Sequence, residues 1–186
     1  MYNSTMHKLP KLLIIGHGRH GKDTVCDILA SRYNFNFLSS SQFCSRKFMF
    51  NDLKDKYGYQ TEEECYIDRH NHRQEWYDNI SLYCQDDPSR LGKEIFKEYD
   101  IYCGLRNKSE FFSMKNQKVF DYVIWVDRSD HLPIEDKSSM TLEMWMADYV
   151  IDNNGTLSEL IRNVDHLMSN LLKNDQESNL PASTSI

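Results

Sequence analysis

The chain has 186 residues, of which 40% are hydrophobic and 27% charged, and it carries a net charge of −6. This length and composition suit one globular domain with a real core and exclude an unfolded polymer. The acidic balance argues against a broad basic surface for duplex nucleic acid and leaves only a local basic cleft, around Arg69, His70, His72 and Arg73.

Residues 1–10 read as a short polar extension, 11–173 as the folded domain and 174–186 as a disordered tail rich in Asn, Ser, Asp and Pro. Lys11 to Ile15 reads as a first strand, apolar on both faces as in a parallel sheet. The glycine-rich stretch Gly16 to Thr24, G-H-G-R-H-G-K-D-T, comes next, and a helix is predicted from Asp23 to Tyr33. Phe35, Phe37 and Leu38 suggest a second strand that ends in Ser39, Ser40 and Ser41, a run able to cap the helix holding Phe43, Phe48 and Met49. Thr61 and Glu64 form a capping-box pattern opening a long polar helix through Arg69, Arg73 and Trp76. Asp87 or Ser89 opens a helix from Leu91 to Tyr99, and Ile101 to Gly104 reads as a strand. A helix over Phe111 to Gln117 precedes a strong strand, Tyr122 to Val126, which ends at Asp127 and Arg128. Tyr149 to Ile151 is a further strand. The loop Asp152–Gly155 comes after it, and Thr156 caps a helix with Leu157, Leu160, Val164, Leu167 and Leu171 at helical spacing.

Alternating strands and helices imply an α/β fold, a parallel sheet covered on both faces, with ligands bound outside the carboxyl ends of the strands. No stretch is apolar for a membrane-spanning length, and the start lacks a charged-then-apolar leader pattern. The five cysteines are odd in number and never spaced C-x-x-C, so neither a disulfide scaffold nor a zinc site is expected and a cytoplasmic location fits best.

A buried strand, a glycine-rich turn carrying a lysine, then a helix is the layout that cradles nucleotide phosphates. Gly16 turns the chain sharply out of the strand, and Gly21 lets backbone approach an anion. Successive N–H groups of Gly16, His17, Gly18, Arg19, His20, Gly21, Lys22, Asp23 and Thr24 would line the cradle, with Arg19 and His20 facing ligand or solvent. Lys22 would bridge the β- and γ-phosphates of a nucleoside triphosphate such as ATP. Asp23 stands where a serine or threonine ordinarily holds Mg²⁺, so Asp23 or Thr24 is the candidate metal ligand.

Arg106, just past a strand end, is placed to reach a transferring phosphoryl group, with Glu110 to orient it. Arg69, His72 and Arg73, on one helical face, suit an anionic acceptor together with Ser40 and Arg106, and Asp68 or His72 suits a general base. Asp127 either touches the metal through water or caps the segment after its strand. Asn153 and Gly155 are candidate adenine contacts. Trp76, Trp125 and Trp145 read as core or cleft wall.

Gly-Lys-Asp-Thr (Gly21 to Thr24), Gly-Leu-Arg-Asn-Lys-Ser-Glu (Gly104 to Glu110, with Gly104 where the family has an acid) and the segment Ala147 to Leu157 resemble the P-loop deoxynucleoside monophosphate kinases of bacteriophages. The complete loop also resembles an offshoot of that group, DNA kinases that phosphorylate 5-hydroxymethyluracil in viral DNA. The resemblance implies a three-layer α/β/α kinase that uses ATP and Mg²⁺, in host cytoplasm if viral. The nine arginines, the absence of an arginine-rich segment between Asp127 and Ala147, and the grouping of Asp68, His70 and His72 favour a hydroxyl on a DNA base as acceptor. The acidic charge favours a free deoxynucleoside monophosphate. A non-catalytic nucleotide-binding module is the third class, resting on Asp23 alone.

Overall fold

The computed structural model describes residues 9–137 and 139–178, with side chains to residue 173. The expected extension over 1–8 and tail over 179–186 lie outside the described residues.

Four consecutive apolar residues make β1 (Leu12–Ile15), which is fully buried. It pairs in parallel with β3 (Ile101–Cys103) on one side and β4 (Tyr122–Asp127) on the other. With β2 (Phe37–Ser39) and β5 (Tyr149–Asp152) at the edges, the sheet order is β2-β3-β1-β4-β5. Because side chains alternate along a strand, one chain segment feeds two cores. Leu12, Ile14, Ile124 and Val126 pack under α1 (Lys22–Tyr33) and α8 (Leu157–Ser178). Leu13, Ile15, Val123 and Trp125 pack on the other face, against Phe43, Phe96, Phe111 and Met114. Helices α2 (Ser40–Cys44), α3 (Phe50–Tyr57), α4 (Glu62–Asp68), α5 (Arg73–Tyr83), α6 (Arg90–Glu98) and α7 (Lys108–Asn116) complete the chain. On the first face Asp165 of α8 binds the last turn of α1, accepting from Arg32 Nε and Nη2 at 2.9 and 2.8 Å and from the Tyr33 hydroxyl at 2.7 Å.

The caps form as the sequence implies. Ser39 Oγ accepts from Gln42 N–H, Thr61 and Glu64 form a reciprocal capping box, and Thr156 Oγ1 accepts from Glu159 N–H. One predicted element is corrected: the helix from Thr61 does not run on through Arg69 and Arg73. It ends at Asp68, whose carboxylate accepts from Asn71 Nδ2 at 2.6 Å and from the Tyr59 hydroxyl at 2.6 Å while its carbonyl accepts from Asn71 N–H at 2.9 Å. Local side-chain bonds of this kind compete with the helical ladder, and α5 restarts after a turn at 69–72. The final helix runs to Ser178, past the expected start of a tail at 174.

A second correction concerns Glu110. Its carboxyl end lies inside the sheet-facing layer and accepts from the Tyr102 hydroxyl at 2.8 Å, so it does not orient Arg106. Burial pushes this carboxyl up to about 7, against the opposing pull of the Tyr102 bond. A carboxyl raised in the folded state binds a proton that the unfolded chain has already released, so stability falls as pH climbs from about 4.5 to about 7 and levels off above. Glu110→Gln, neutral throughout, is expected to melt close to wild type at pH 4.5 and to exceed it by on the order of 1–3 kcal/mol above pH 7. Urea melts across that range check it.

Candidate functional site

The carboxyl ends of β1, β3, β4 and β5 converge on the loop Gly16–Thr24. Gly16 leaves β1 at φ +141°, where an added Cβ would stand 2.5 Å from the Val126 carbonyl oxygen, so the loop lies directly on the end of β4. Arg19 (φ 65°) and Gly21 (φ +93°) supply the left-handed residues that curl it. Gly21 is also the N-cap of α1 and provides no capping side chain, which leaves the first-turn N–H groups and the positive helix end directed at the loop.

Lys22 folds back over the loop, and its Nζ donates to the His17 carbonyl at 2.6 Å. Burial depresses its pKa, and Arg106 adds to that effect. Gly18 N–H donates to Glu135 Oε2 at 2.6 Å, and Glu135 Oε1 accepts from Arg106 Nη1 at 2.7 Å. The concavity therefore already grips an anion, the carboxylate of a residue 117 positions away. Glu135 is the partner of Arg106 that the sequence assigned to Glu110. Sequence reasoning missed it because an acid in His-Leu-Pro-Ile-Glu-Asp carries no signal of its spatial neighbour.

His20 is corrected from a ligand- or solvent-facing residue to a fully buried one. Its Nδ1 accepts from Arg128 N–H at 3.0 Å, and its carbonyl accepts from Asn153 Nδ2 at 2.9 Å. Asn153 is 6% exposed and directed beneath the loop, so its side chain braces the cradle. His17 packs edge-on against Trp125 at 5.2 Å, and its Nδ1 accepts from Glu135 N–H at 3.2 Å. Burial, then His20, lowers the His17 pKa, which preserves that acceptor at neutral pH. The Asp127 carboxylate accepts from Ser129 Oγ at 3.0 Å and Asn154 Nδ2 at 3.3 Å through one oxygen, and its other oxygen lies 4.0 Å from His20 Nδ1 of the loop.

Asp23 and Thr24 are both exposed in the first turn of α1, and Asp23 Oδ1 accepts weakly from Cys103 Sγ at 3.5 Å. No cluster of three or more His, Cys, Asp or Glu side chains suited to a metal occurs among the described residues. Asp23 and Thr24 present exposed oxygen donors of the kind Mg²⁺ takes, an ion that keeps several waters and needs only one or two protein ligands. Trp76 and Trp125 are buried and Trp145 is 69% exposed.

The second group of predicted residues lies on the helices beyond β2. Ser40 opens α2, beside Gly104 at the end of β3. The α2 segment continues through a π-helical turn (Ser45–Met49) into α3, and Ser45 Oγ, inside that turn, donates to the Glu62 carbonyl at 2.7 Å. A cavity of about 370 Å³ between these segments is lined by Gln42, Arg46, Thr61, Glu63 and Tyr66, among others. Arg69 does not share a helical face with His72 and Arg73: its guanidinium lies over the Tyr66 ring at 3.9 Å. His72 Nε2 meets Asp68 Oδ2 at 3.0 Å, and its ring lies 3.9 Å from that of Tyr57. Bonds from Tyr59 and Asn71 hold the Asp68 carboxyl below the usual range, which weakens it as a base. Arg73 is exposed. No hydrogen bond or ion pair among the described residues joins this group to the loop.

No family model and no curated protein matches the chain. Solved structures do. A shikimate kinase from Bacteroides thetaiotaomicron is 10% identical, covers 89% of this chain and 99% of its own, and superposes with a TM-score of 0.50. A gluconokinase from Sinorhizobium meliloti is 12% identical, covers 94% of this chain and 100% of its own, with a TM-score of 0.51. The fold is that of the small P-loop kinases. No helix among the described residues is long and apolar enough to cross a membrane.

The brace under the loop has a measurable consequence. Asn153→Ala leaves the His20 carbonyl without its donor, at a cost of about 1–3 kcal/mol. Thermal melting should fall by roughly 2–12 °C for a domain of this size, with the far-ultraviolet dichroism of the native state unchanged.

Proposed function

We propose that the protein is an ATP-dependent phosphotransferase whose loop Gly16–Thr24 holds the triphosphate. The observation that carries this reading is a glycine-rich loop that leads into the uncapped start of α1, with its Gly18 N–H bound to a carboxylate and Lys22 Nζ folded onto its His17 carbonyl. Backbone N–H groups and a helix end aimed at one point stabilise charge that develops there, and Lys22 follows that charge as it moves. Asp23, assisted by Thr24, would hold Mg²⁺, which when bound offsets the negative charge of the phosphates. Arg106, at the end of β3, is suited to the transferring group.

For the acceptor we favour the hydroxymethyl group of 5-hydroxymethyluracil in DNA, as the loop resemblance implies. The disposition of cations supports an alcohol over a second phosphate: Arg128 donates to the Asn153 carbonyl at 2.7 Å, and Arg69 lies over Tyr66. The Asp68–His72 pair would then supply the base, the carboxylate orienting the ring. Ser40 and Arg73 would line the acceptor path. The net charge of −6 favours the second reading, phosphorylation of a free deoxynucleoside monophosphate.

Label from γ-³²P-ATP is expected to enter hydroxymethylated DNA. Entry into dAMP, dGMP, dCMP or dTMP alone would select the second reading, and ATP binding without transfer would select a nucleotide-binding module. Lys22→Ala is expected to lower kcat by on the order of 10²-fold or more; near-normal turnover would refute the loop assignment. Arg106→Ala should reduce turnover while changing stability by about 1 kcal/mol or less, since its ion pair with Glu135 is exposed to solvent.

A further inference from the structure

The segment Arg128–Glu135 crosses the loop as a strap and is tied to it at both ends. At one end Arg128 N–H is bound by His20 Nδ1 and its guanidinium by the Asn153 carbonyl. In the middle His131 Nε2 lies 2.6 Å from the Asn154 carbonyl. At the other end Glu135 N–H is bound by His17 Nδ1, and the carboxylate reaches Gly18 N–H and Arg106. Little apolar burial holds the distal part. Pro133 and Ile134 are exposed, Ile134 to 70%. The strap's hold on the cradle is thus mainly polar, and the two donors its carboxylate takes, Gly18 N–H and the Arg106 guanidinium, are ones a triphosphate would also take. A carboxylate and a phosphate oxygen compete for the same N–H groups and guanidinium.

We propose that Glu135 is an internal substitute for phosphate: its carboxylate occupies the cradle when nucleotide is absent, and a triphosphate enters by displacing it and releasing Arg106. The charge state supports this role. Burial pushes the Glu135 carboxyl up, but Arg106, Gly18 N–H and Lys22 outweigh it and keep the group below the ordinary range, hence anionic. An ordinary surface ion pair needs only one cation. Here the acid is also bound by a loop amide at 2.6 Å, and an added Cβ on Gly18 would stand 3.0 Å from its oxygen. The device favours an empty site that is closed to water-borne anions and a transfer-competent Arg106 only after nucleotide has arrived.

The inference rests on the proposed nucleotide site, and one titration separates the two. Binding of the non-hydrolysable analogue β,γ-imido-ATP with Mg²⁺ is measured by calorimetry on the full chain, for wild type, Glu135→Gln and Glu135→Ala, each checked by thermal melting. Removing a competitor that occupies most molecules raises the competent fraction, so both variants should bind about tenfold more tightly than wild type. If wild type binds and the folded variants bind equally or more weakly, Glu135 is not a substitute ligand and the inference is overturned. If none of the three binds, the nucleotide site falls and the inference with it.

Discussion

The loop keeps its shape because His20 is buried between two strand ends. Its ring accepts from the chain leaving β4, and its carbonyl accepts from the chain leaving β5. Both bonds depend on one pairing, Asp127 opposite Asp152, which sets residues 128 and 153 side by side. A buried carbonyl or ring nitrogen left unpaired costs about 1–3 kcal/mol, so the strands and the loop stand or fall together. Among the described residues, His20 Nε2 has no partner of its own.

Local field and total charge point in opposite directions. The chain is acidic overall, yet Lys22, Arg106 and the start of α1 gather positive potential at the strand ends. Partial burial of Lys22 makes that charge costly to hold unpaired, which explains why the ammonium rests on the His17 carbonyl and a carboxylate sits close by. An anion site built this way is complete only with an anion in it.

The helices beyond β2 are organised by different rules. The capping box at Thr61 starts α4 where the sequence says it must, but Asp68 ends it by drawing Asn71, Tyr59 and His72 onto its carboxylate. Periodicity alone reads through that turn, because a helix and a helix–turn–helix of the same residues share most of their spacing. The π-helical turn at Ser45–Met49 is equally silent in sequence, and it is fixed by Ser45 reaching the Glu62 carbonyl in another helix.

Apolar runs, glycines and capping side chains act over a few neighbouring residues. The parallel sheet, the order of elements, the caps at Ser39, Thr61 and Thr156, and the position of the loop Gly16–Thr24 are therefore legible in the chain alone. The partners of Arg106, His20 and Asn153 are not, and the assembled fold chooses them. Each lies 25 or more positions away along the chain, in a loop whose composition is that of any polar connection. Strand register sets residues 128 and 153 beside His20, and loop packing over the sheet end brings Glu135 to Arg106; both are properties of the assembled fold.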